Sequence, residues 1–168
     1  MRAAEPKGDS MANFVPTSNF SGNTTLGASE YAIIGAGLVV GGDFTPAIYG
    51  ASSNNHINNM GTILGYHAVY LTATSILYNQ ESGTISGRNI GVACIGADNI
   101  VDNKGVVFGA RIAVELDNGG TLYNTGTLTA GYELVSYNTA IFLAGSNTTT
   151  VENSGLIETM LADSYAVQ

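Results

Sequence analysis

A short phrase returns five times in this chain: an aliphatic residue, a variable residue, Asn, then a Gly-x-aliphatic step. It reads Ile57-Asn58-Asn59-Met60-Gly61-Thr62-Ile63, then Leu77-Tyr78-Asn79 with Gly83-Thr84-Ile85. It continues as Val101-Asp102-Asn103-Lys104-Gly105-Val106-Val107 and Leu122-Tyr123-Asn124-Thr125-Gly126-Thr127-Leu128, and closes as Val151-Glu152-Asn153-Ser154-Gly155-Leu156-Ile157. The glycines lie 22, 22, 21 and 29 residues apart. Self-similarity at such a period signals a repeat architecture, in which each unit buries its apolar side only against its neighbours.

A second phrase precedes the first in every repeat: Ala47-Ile48-Tyr49, Ala68-Val69-Tyr70-Leu71, Gly91-Val92-Ala93-Cys94, Ala113-Val114-Glu115-Leu116 and Ala140-Ile141-Phe142-Leu143. Its alternation has the period of a half-buried strand. One repeat therefore holds three short strand-like pieces. Stacked turns of a coil would pair each piece with its own copy in the next turn, in parallel. The pattern predicts an all-β, single-domain parallel β-helix (a solenoid) of about six turns of roughly 22 residues. A turn longer than the hexapeptide repeat of left-handed coils favours the right-handed form.

The inward set follows from this alternation. The first face turns in Ile48, Val69, Val92, Val114 and Ile141. The second turns in Ile57, Leu77, Val101, Leu122 and Val151, and the third Ile63, Ile85, Val107, Leu128 and Ile157. Cys94 falls in the column of Leu71, Leu116 and Leu143, where a thiol acts as a small apolar residue. Asn59, Asn79, Asn103, Asn124 and Asn153 each close a strand, and stacked amides can bond one another along such a column. The glycine after each Asn serves the same corner, through positive φ or close backbone approach. Gln80-Glu81 reads as a two-residue bulge in that turn.

The periodicity divides the chain. Residues 1–30 read as a flexible extension, and residues 31–46 as an atypical first turn. Residues 47–158 hold the five repeats, and a short tail follows. The segment Tyr132-Glu133-Leu134-Val135-Ser136-Tyr137 reads as an extra loop that lengthens the last interval.

Composition bounds the function. Only 11% of residues are charged and the formal net charge is −8, with Arg2 and Lys7 among the five basic residues. Nucleic acid demands a basic stripe, so it is not an expected partner. No apolar run reaches spanning length, so membrane insertion is not expected either. The single cysteine precludes an intramolecular disulfide. Met1-Arg2-Ala3-Ala4-Glu5-Pro6-Lys7 leads into no apolar core of a signal peptide.

A catalytic constellation is not evident. Asp98, Asp102, Glu115, Asp117 and Glu152 are the candidate carboxylates, but the register separates Asp102 from Glu152 by the turn of Tyr123. General acid–base chemistry needs paired groups within reach of one bond, so no enzyme is expected. Asp98, Asp102 and Asp117 form a weak candidate Ca²⁺ site, calcium being a hard cation that takes oxygen ligands; no other cofactor is implied. His56 and His67 read as ordinary surface or corner residues. The outward apolar residues say more: Tyr49, Tyr70 and Phe142 on the first face, Leu64, Val106, Phe108 and Leu156 on the third. These are candidates for a subunit-packing surface, and the Tyr49/Tyr70 face is a candidate for glycan binding.

The phrases Asn124-Thr125-Gly126-Thr127-Leu128 and Val151-Glu152-Asn153-Ser154-Gly155-Leu156-Ile157 resemble the repeats of bacterial surface β-helix proteins, including passenger-like regions of adhesins. The resemblance covers residues 47–158 and implies a structural or adhesive role outside the cell, reached without a cleaved signal peptide. In architecture alone the chain is also similar to bactofilins, cytoplasmic filament formers whose repeat lacks the Asn-x-Gly phrase. The combined expectation is a non-enzymatic subunit that polymerises with itself by end-to-end stacking. A carbohydrate-binding adhesin module and a cytoplasmic filament former are the alternatives.

Overall fold

The computed structural model describes residues 13–43, 45–131, 138–161 and 164–168. Among the described residues every regular element is a β-strand, and every pairing between strands is parallel. The second face is a six-stranded sheet running Tyr31–Ile34, Asn55–Asn59, Ser75–Asn79, Asn99–Asn103, Gly120–Asn124 and Thr149–Asn153. Each strand pairs with its own copy one turn on, as the repeated phrase requires: Ile57 lies beside Leu77, Leu77 beside Val101, Val101 beside Leu122, and Leu122 beside Val151.

The third and first faces merge into one bent twelve-stranded sheet, because Thr62–Leu71 and Thr84–Cys94 run through the corner as continuous strands. The register shifts between Gly65 and His67, where the chain bends. Gly65, Gly87 and Gly109 stack at this corner. A Cβ on Gly87 would run into the carbonyl oxygen of Ile90, and one on Gly109 into that of Ile112. The corner thus needs the absence of a side chain, a reason for glycine that the Asn-centred phrase does not reveal.

The coil interior is one apolar column set. Ile48, Val69, Val92, Val114 and Ile141 are fully buried, as are Ile57, Leu77, Val101 and Leu122, and Ile63, Ile85, Val107 and Leu128. Val151 and Ile157 complete their columns but are only partly covered. Cys94 pairs with Leu71 on one side and Leu116 on the other, in the predicted column. Burial, and secondarily the field of Glu115, push its thiol far above the ordinary range, as suits a small apolar side chain in the column.

The asparagines form a directional ladder. Asn59 Nδ2 donates to Asn79 Oδ1 at 2.8 Å, Asn79 to Asn103 at 2.8 Å, Asn103 to Asn124 at 2.7 Å and Asn124 to Asn153 at 2.6 Å. The first four are buried and Asn153 is exposed. Each buried amide also donates toward carbonyls of its corner; Asn103 reaches Gly105 at 3.3 Å and Thr127 at 3.2 Å. The glycines after these asparagines have no positive φ; a Cβ on Gly105 or Gly126 would strike the carbonyl of the preceding turn's glycine. Close stacking therefore explains them. After Asn79 two extra residues are accommodated in the turn, closed by the Gly83 amide donating to the Gln80 carbonyl at 2.7 Å.

The expected extension, residues 1–30, is corrected by the structure. Residues 1–12 lie outside the described residues, but Phe20–Ser21 and Thr24–Leu26 are strands of the coil, and Phe14 bridges to Ala32. The sequence concealed this partial turn because it lacks the Asn-x-Gly phrase. Ile34, not an Asn, occupies the ladder position of the turn that follows. Ile33, one residue earlier, faces outward beside Asn58 and does not continue a core column. At the other end, Tyr165–Val167 adds a strand beside Thr139–Leu143 and covers the last turn on the first face. The predicted extra loop, 132–137, lies outside the described residues.

Candidate functional site

Strand alternation places every second side chain outside the coil, so the surface chemistry is arranged in ladders one rung apart. On the first face the outward ladder runs Tyr49, Tyr70, Ala93, Glu115, Phe142. The predicted aromatics Tyr49 and Tyr70 do meet, with ring centroids 5.9 Å apart and planes inclined at 46°. Phe142 does not join them. It packs, as Tyr70 also does, against an apolar cluster of Ile90, Ala93 and Ile112 outside the coil.

The third-face candidates are dispersed. Leu64 and Phe108 share a ladder but Ser86 lies between them; Val106 and Leu156 share another, interrupted by Thr127. The seven predicted assembly residues thus occupy two faces and do not form one patch.

The acidic candidates are also distributed. Asp102 and Glu152 stand on the second face with Tyr123 between them. Asp102 faces Lys104 at 3.7 Å, Asp117 follows the strand Ile112–Leu116, and Asp98 is a turn residue in left-handed conformation with φ 56°. Among the described residues no three His, Cys, Asp or Glu side chains converge as metal ligands would. Glu115 is half-buried beside Ile112 and Phe142. Its pKa is raised, chiefly by burial and further by Asp117, with Arg111 opposing.

One concavity among several lies on the side of the early turns. A groove of about 330 Å³ is lined by Tyr49, Tyr66, His67 and Tyr70, with Asn23, Thr45 and Pro46 opposite in sequence. Its rings are linked in order. Tyr49 meets Tyr70, His67 meets Tyr70 at 5.5 Å and 62°, and Tyr66 meets His67 at 5.0 Å and 41°. His67 is therefore no ordinary surface residue. The corner bulge turns its ring outward among tyrosines; Nε2 lies 3.4 Å from Asn89 Nδ2, and Nδ1 is buried without a partner. Burial lowers its pKa, so the ring is neutral at pH 7. His56 is the exposed residue expected. Tyr66 was legible only as part of the unassigned stretch between two repeat phrases, and nothing in the periodicity marks the histidine.

Compared with family models, with curated proteins and with solved structures, the chain has no match.

Proposed function

We propose that this protein is a non-enzymatic structural subunit that assembles with copies of itself by stacking coil ends. One observation carries this reading: the two ends of the described coil are unlike in side chains, and both leave strands paired on one side only. At one end the strands Thr149–Asn153 and Leu156–Thr159 are paired on one side only, above the partly covered Val151 and Ile157. At the other, Phe14 and Phe20 pack edge to face at 5.1 Å, and Phe20 and Val15 remain 36% and 51% exposed. Unpaired strand edges are templates for further pairing. Joining unlike surfaces makes a heterologous contact, which propagates into a filament when the rotation does not close.

Low charge and an asparagine- and threonine-rich surface suit a repeat protein working outside the bacterial cell, the setting that the resemblance to surface β-helices implies. Negative-stain microscopy and sedimentation of concentrated protein test the assembly. Filaments of coil width are expected, shortened or abolished by Ile157→Lys, while the variant stays folded. Monodisperse monomers at all concentrations would refute it. The alternative of a flat glycan platform at Tyr49 and Tyr70 has less support, because rings inclined at 46° do not share a stacking plane.

A further inference from the structure

The same inclination suits a different ligand. We propose that the groove formed by Tyr49, Tyr66, His67 and Tyr70 binds a small quaternary ammonium group, of the kind carried by choline. An alkylated ammonium has no hydrogen to donate and is recognised by aromatic faces, whose quadrupole attracts a cation within about 6 Å of the ring centroid. Four rings in a connected series, each tilted 41–62° against the next, line one concavity without sharing a plane. A flat sugar needs a common plane; a near-spherical cation needs this variety.

Charge points the same way. No Lys or Arg lines the groove, and its histidine is neutral. The pKa of Tyr70 is raised by burial and then by Glu115, with Tyr49 and Asp117 adding to it, so carboxylates set the sign of the field at that ring. The nearest arginine in the chain order, Arg88, is bound to Asp43 at 2.8 Å. The whole chain carries −8, which attracts a cationic solute. Asn23 and Thr45 place polar groups at the groove for the hydroxyl of a choline-like ligand. The inference does not depend on filament formation, since the groove lies on the flank of the coil.

Calorimetric or NMR titration with choline and with its neutral isostere 3,3-dimethylbutan-1-ol tests it. Choline is expected to bind about tenfold more tightly than the isostere, the margin a partly desolvated cation–π contact provides. Tyr70→Leu keeps the bulk and removes the ring; it should weaken choline binding about tenfold, while Tyr70→Phe retains it. Thr45→Lys should abolish binding by repulsion, with an unchanged circular dichroism spectrum. Equal affinity for the isostere, no choline binding, or undiminished binding by Tyr70→Leu would each overturn the proposal. Binding of soluble glycans in place of choline would overturn it in favour of a sugar site.

Discussion

Asn103→Ala probes the ladder at its centre. The side chain is fully buried; its Oδ1 accepts from Asn79 at 2.8 Å and its Nδ2 donates to Asn124 at 2.7 Å. Truncation removes both bonds, together with the weaker contacts to the Gly105 and Thr127 carbonyls. The Asn79 amide keeps carbonyl contacts at Gly83 and Val106, so losing its partner there costs about 1 kcal/mol net. Asn124 Oδ1 loses the donor that satisfied it, a buried orphan worth about 1–3 kcal/mol. With the small cavity that remains, the total is about 3–4 kcal/mol, a large share of the stability of about 5–15 kcal/mol usual for a domain. Asn153→Ala is the control. Asn153 is exposed and removes one acceptor from Asn124, which keeps Gly126 and Leu156, so about 1 kcal/mol is expected. Urea unfolding followed by far-ultraviolet circular dichroism measures both. Equal costs, within about 0.5 kcal/mol, would mean that the amide bonds add nothing beyond filling the corner. Asn103→Asp sharpens the test: a carboxylate can accept from Asn79 but cannot donate to Asn124, so it should be worse than alanine and worsen as pH rises.

Other outcomes follow from the same geometry. Val107→Asp places a carboxylate in a fully buried column and should prevent folding, whereas Thr127→Asp, on an outward ladder, should be tolerated; soluble expression and circular dichroism compare them. Gly87→Ala should destabilise by more than about 2 kcal/mol, because the added carbon meets the Ile90 carbonyl, and a near-neutral denaturation midpoint would contradict the corner geometry. The folded state holds the Glu115 proton more tightly than the unfolded chain does, so its contribution is fully present below the ordinary carboxylate range and is lost as pH rises through the raised value. Glu115→Gln should therefore be more stable than the parent at neutral pH, with the two melting curves converging in acid. Filaments stacked through backbone ladders and apolar columns should survive high salt, which screens only charges; dissolution by salt alone would point to ionic lateral contacts.

The sequence carried the core and the ladder because both obey the period. Equivalent residues meet one turn on, so a repeated Ile or Asn must form a column once the strands are parallel, as Leu77–Val101 and Asn79–Asn103 do. The Asn-x-Gly phrase likewise located four of the buried amides without any knowledge of three-dimensional structure. Where the phrase is missing, periodicity said nothing, and the partial turn around Phe14, Phe20 and Leu26 was read as an extension.

The candidate site was legible only in part. Tyr49 and Tyr70 could be stacked by register, since they are neighbours in one ladder. Tyr66 and His67 could not, because the bulge between Gly65 and His67 breaks the alternation that assigns side chains to faces. A one-residue shift in a strand reverses which side each residue takes, and in the stretch Gly65-Tyr66-His67-Ala68 the only local mark of that shift is Gly65. It arises from glycines stacked turn on turn, each too close to the backbone beyond the bend to carry a side chain. The repeat by itself determined the coil, its inward columns and its amide ladder, because those depend only on spacing. The tertiary structure decided which aromatics share a groove and how the third and first faces join, because these depend on how individual corners bend.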